Sequence, residues 1–242
     1  MPRLEVATAG ASARARYRAL TTRTERGVVA GAMGGSAALM IGGIGGWPAG
    51  AAGGALVAGV HFALGWMRPG PETDWRRGAA AERRTGRHLS ELEGNGYTVL
   101  HDRSVPGLEG TNLDHLVIGL TGVYAVITRR IGPRTRLRAG EGRLWAAARD
   151  VSGLEATAAL AGPLVSAELS AELDKDMEVV PVVAVQYGRV EAELEHAGVR
   201  LLAGRSVGGF VRARPVVFTT SQVATIVAAA ERLFPPMVGQ FN

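Results

Sequence analysis

TNLDHLVIGLTGVYAVITRR, residues 111–130, is the stretch whose reading decides the fold. Two β-branched, apolar runs, Leu113 to Ile118 and Val123 to Ile127, flank Gly119, Thr121 and Gly122, which supply the backbone freedom of a tight connection. The stretch predicts a β-hairpin with both strands buried. Asp114 and His115 open its first strand, two polar side chains in a run otherwise fit for a core. Such groups must find hydrogen-bond partners or a ligand.

Upstream, Gly27 to Met67 contains no Asp, Glu, Lys or Arg. A bilayer core needs about 20 apolar residues per helical span, so the run is long enough for two. Trp47-Pro48 near its middle suits an interfacial turn, which predicts helices from Val28 to Gly46 and from Ala49 to Trp66. Small residues four apart, Gly27, Gly31 and Gly35, then Gly42, Gly46, Gly50 and Gly54, favour close packing of the pair. The nine basic and four acidic residues through Arg77 carry the whole net charge of +5, leaving the rest neutral. Arginines bound both ends of the run, so the expectation is a multi-pass cell-membrane protein with two spans and both termini cytoplasmic. A Gly/Ala-rich soluble helical pair or a low-complexity linker is the alternative. The expected units are a basic, core-poor tail (1–26), a transmembrane helical hairpin (27–67) and a cytoplasmic α/β domain (68–242).

The absence of cysteine excludes disulfides, a thiolate zinc site and a cysteine nucleophile. Lys175 is the only lysine. Arg129, Arg130, Arg134, Arg136 and Arg138 form one local basic cluster, able to touch nucleic-acid phosphates or anionic lipid headgroups. No aromatic is interleaved, so base stacking is not indicated. A solvated, charge-protected edge strand explains the same cluster. Gly204 to Gly209 lacks the lysine of a phosphate loop, and the acidic run from Glu168 to Glu178 lacks a calcium-loop pattern.

Apolar spacing predicts a helix from Asp74, placed to cap, to Glu93, then a strand at Tyr97 to His101. A second hairpin is expected around Leu137 to Ala147, a helix from Gly153 to Leu173, a strand from Val179 to Gln186 and a last helix from Ser221 to Phe234. Trp75, Gly78 and Glu82, followed in order by GYTVLHD, VPG, TNLDHLVIG and GVYAV, resemble the nuclease-related domain, NERD, a relative of the PD-(D/E)XK nucleases. The resemblance implies an α/β fold, a mixed central sheet flanked by helices. It also implies a Mg²⁺-dependent phosphodiesterase site formed by Glu82, by Asp114 and by a (D/E)-x-K on the next strand, with Asn112 and His115 in support.

At that third element the chain has Ile127 for the carboxylate and Arg129 for the lysine. Arginine keeps the charge but does not readily give up a proton. Ile127 offers no oxygen, which leaves Glu82 and Asp114 alone to hold a hard cation. The expectation is a remnant site, Glu82, Asp114 and Arg129, in a membrane-anchored binding or scaffolding module for nucleic acid that needs no cofactor. The alternative is an active Mg²⁺-dependent endonuclease, with Glu141 or Asp150 supplying the lost carboxylate. Taken singly, Glu82 also reads as a solvated helix residue, Asp114 and His115 as a hydrogen-bonded pair, and Asn112 as a loop cap.

Overall fold

The computed structural model describes residues 9, 23–67, 71–192 and 194–237. Most of the tail expected at 1–26 lies outside the described residues. The chain divides into two compact units, Arg14–Arg76 and a larger one formed by Met1–Ala13 with Arg77–Asn242.

In the smaller unit the apolar run is one helix, α1 (Arg23–Met67), where two were expected. Its backbone leaves helical geometry at Gly46 (φ 81°, ψ 169°), one residue before the expected Trp47-Pro48 turn. Glycine tolerates that positive φ, and Pro48 just beyond it removes a donor that the break has already freed. Residues on the two sides of the break face each other. A Cβ added at Gly54 would lie 2.6 Å from the Gly34 carbonyl oxygen and 2.7 Å from Ala38 Cβ. Backbone approach this close requires glycine at that position.

The larger unit is a mixed α/β domain. Its six-stranded sheet has the order β1-β2-β3-β7-β10-β9, with β1 (Tyr97–Arg103), β2 (Leu113–Gly119), β3 (Gly122–Arg130), β7 (Val179–Gln186), β9 (Glu195–His196) and β10 (Val199–Ala203). The first three form an antiparallel meander, β3-β7-β10 are parallel, and β9 closes the edge antiparallel. β4 (Arg136–Gly140), β5 (Arg143–Ala146), β6 (Arg149–Asp150) and β8 (Arg189–Val190) make a second, four-stranded sheet. The helices are α2 (Pro71–Leu89), α3 (Ala156–Leu173), α4 (Val207–Ala213) and α5 (Thr220–Leu233).

The 111–130 hairpin is the centre of the sheet. β2 is buried along its whole length, because both faces are covered. Leu116, Ile118, Val123, Ala125 and Ile127 pack with Ala158, Ala161 and Val165 of α3 and Ile226 of α5. Val117, Tyr124 and Val126 face the other way, against Leu89 of α2, Leu92 and Val207 of α4. Burying each large aliphatic side chain contributes roughly 1.5–3 kcal/mol. α2 begins at Pro71, so Asp74 lies within the helix and does not cap it. Proline suits that first position, where its missing N–H has no helical partner. The expected helix from Ser221 begins one residue earlier, behind a capping box in which Thr219 and Gln222 bond each other's backbone N–H.

Candidate functional site

α2 and the ends of β1, β2 and β3 bring Asp102, Asp114 and Arg129 close enough to Glu82 to act on its carboxyl. Glu82 is half-buried on α2, and its carboxyl is pushed up to about 8 by burial, then by Asp114 and Asp102, against the opposing pull of Arg129 and Arg83. Asp114, 7% exposed, rises to about 6, chiefly through burial. Its Oδ2 accepts the Thr128 N–H at 2.6 Å, a bond that favours the charged form and opposes the rise. Burial thus favours the protonated form of both carboxyls, more strongly at Glu82.

The Arg129 guanidinium is engaged at all three nitrogens. Nε donates to the Leu154 carbonyl at 3.2 Å, Nη1 to the Thr128 carbonyl at 3.1 Å and Nη2 to Thr157 Oγ1 at 2.6 Å. Arg129 thus ties the end of β3 to the start of α3. Ile127, two residues earlier on the same face, is 1% exposed within the main core, opposite Val183 of β7.

Asp102 is a member of this group that sequence reading missed. It is 1% exposed at a left-handed φ of 55°, and its Oδ1 accepts the Asn112 amide at 2.7 Å. Asn112 therefore fastens the β1–β2 loop to the end of β1. The carboxylates considered as substitutes lie elsewhere: Glu141 is in the β4–β5 turn, and Asp150, on β6, accepts from Ser152 N and pairs with Arg143. Among the described residues, no group of three or more His, Asp or Glu is placed to hold a metal ion.

His115 does not pair with Asp114, because consecutive strand residues point to opposite faces. Its Nδ1 lies 2.8 Å from His101 Nδ1 and its Nε2 3.5 Å from Thr128 Oγ1. Thr128 in turn donates to Thr85 Oγ1 at 3.0 Å, and Thr85 donates to the Ala81 carbonyl and accepts from Gln186 Nε2. Burial holds the His115 pKa well down, so its ring is neutral. With the Thr128 proton committed to Thr85, Nε2 of His115 must be the donor to Thr128, and His101 Nδ1 the donor to His115. This chain, buried except at half-buried His101, joins α2, β1, β2, β3 and β7.

The basic cluster is divided. Arg136 and Arg138 are exposed on β4 around buried Leu137, and Arg136 pairs with Glu191. No aromatic lies within 129–138, but the fold brings two from elsewhere: Trp145 stands across from Arg138 in the β4–β5 ladder and Tyr187 lies against Arg130. A groove of about 350 Å³ beside Thr157 is lined by Gly107, Leu108 and Thr111 of the β1–β2 loop and by Ala156 and Leu160 of α3.

Comparison with known families meets this geometry at one place. Residues 77–150 match the nuclease-related domain, NERD. The matched region runs from α2 through β6, so NERD covers the whole meander and most of the second sheet, beyond the Trp75 to Arg130 segment that carries the motifs. α3, β7 and all that follows lie outside it. No curated protein and no solved structure matches the chain.

Proposed function

We propose that the chain is a membrane-anchored nucleic-acid-binding module whose NERD site has lost the donor set for metal-dependent cleavage. The observation that supports this reading is buried Ile127 in the main core, together with Asp114, whose Oδ2 accepts the Thr128 N–H. Mg²⁺ fits these residues poorly. It takes near-octahedral oxygen ligation, and here one oxygen of Asp114 already accepts a backbone N–H and the third position is a hydrocarbon. Arg129, held by three acceptors, is likewise not free to activate a water. The anchor is α1: Val28–Ala63 is long and apolar enough to cross a membrane, and the break at Gly46 supports two antiparallel spans with both termini cytoplasmic.

A second reading, a Mg²⁺-dependent endonuclease at the membrane, draws support from Asp102, a third carboxylate near Glu82 and Asp114. One experiment separates the two. The full chain in detergent is titrated with Mn²⁺ and incubated with labelled DNA and RNA. The binding module predicts intact nucleic acid and no saturable Mn²⁺ site. Cleavage or saturable binding that Asp114→Ala abolishes establishes the enzyme instead.

A further inference from the structure

Tyr187, in the turn after β7, has a φ of 69°, a left-handed conformation that bulky side chains avoid, and it is 42% exposed. Two guanidinium carbons lie over its ring, Arg84 at 5.4 Å and Arg130 at 5.6 Å from the centroid. Among the described residues neither arginine is ion-paired, whereas Arg136, Arg143, Arg200 and Arg232 each face a carboxylate. All three groups are anchored from beneath. Arg84 precedes Thr85, Tyr187 follows Gln186, and Arg130 is the ladder partner of Gln186, while Thr85 bonds both Gln186 and Thr128.

Two uncompensated guanidiniums held by one ring suit a ligand with successive anionic groups and a flat apolar face. A phosphodiester strand has both. The stretch after Arg77 is neutral overall, so neither a lipid surface nor a nucleic acid would feel a general attraction, and recognition there must be local. Base pairs in a duplex hide their faces, whereas a single strand offers them to an exposed ring.

We propose that Arg84, Tyr187 and Arg130 form a docking platform for single-stranded nucleic acid, the guanidiniums taking phosphates and the ring stacking on a base. This deepens the nucleic-acid reading of the NERD domain and rests on it. The test is fluorescence anisotropy of a labelled single-stranded oligonucleotide with the full chain in detergent, across a range of salt. Tyr187→Ala is expected to weaken binding about tenfold and Tyr187→Phe to leave it unchanged. Tyr187→Gly, which accepts the left-handed backbone, should melt no lower than wild type yet bind as poorly as Tyr187→Ala. Arg84→Ala with Arg130→Ala should reduce the slope of log affinity against log salt by about 1.4. Wild-type binding that none of these variants changes, or that duplex matches, overturns the platform and leaves the nucleic-acid reading standing. Absence of oligonucleotide binding at low salt overturns both.

Discussion

At the residue scale Glu82 and Asp114 give the sharpest expectations. Glu82 has a folded pKa of about 8, well above that of an exposed glutamate, so the folded chain holds a proton that the unfolded chain releases. Stability contributed by this group is complete below about pH 4.5 and falls as pH rises to about 8. Glu82→Gln removes the titration, so the variant should lose less melting temperature than wild type between pH 5 and pH 8; equal losses would show that Glu82 ionises freely in the fold. Asp114 works in another way, as the acceptor for a buried N–H at 2.6 Å. Asp114→Ala orphans that N–H and should cost about 1–3 kcal/mol, while Asp114→Asn keeps an acceptor and costs less. Equal melting temperatures for the two variants would contradict this role. Asp114 and His115 were legible as buried polar residues, since each stands in an apolar run. Asp102 was not, because its place depends on a left-handed turn and on the loop crossing that Asn112 fastens.

Elements were readable wherever the apolar pattern alone decided them. The 111–130 hairpin and β7 formed where the sequence placed them, α3 starts at Ala156 where Gly153 was expected, and the Leu137 to Ala147 hairpin is held by two buried leucines, Leu137 and Leu144. β10 and its parallel pairing with β7 escaped notice. Neighbours that are not consecutive in the chain leave no mark in local periodicity, and Tyr187 meets Arg84 across about a hundred residues for the same reason. α1 was read as two helices and is one element with a break, a difference located in the single backbone geometry of Gly46. Its two sides meet at glycines, which yields a paired expectation. Gly54→Leu would drive a side chain into Gly34 and Ala38, whereas Gly59 has nothing within 4 Å of an added Cβ. In detergent, Gly54→Leu should lower the melting temperature of the helical signal and Gly59→Leu should not. Indifference to both would mean that the two sides do not pack.

For the whole molecule, the distribution of apolar surface decides what solvent the chain accepts. Leu39, Ile44 and Trp47 are each more than 80% exposed, and Met40 and Leu56 are more than two-thirds exposed, all within α1. Soluble proteins rarely leave a contiguous apolar patch beyond a few hundred Å². In water such a surface would be buried by aggregation, whereas in a bilayer it needs no covering. The larger unit makes no such demand: its large aliphatic residues lie inside, with Leu160, Val216 and Val217 as the main exceptions. Charge follows the same division, with the basic surplus confined to the segment that flanks the apolar run. The expressed chain should therefore sediment with membranes, resist extraction at high salt and at alkaline pH, and enter solution only with detergent. Release by salt alone would reduce α1 to a surface contact, because screening weakens ionic attraction and leaves buried apolar area untouched.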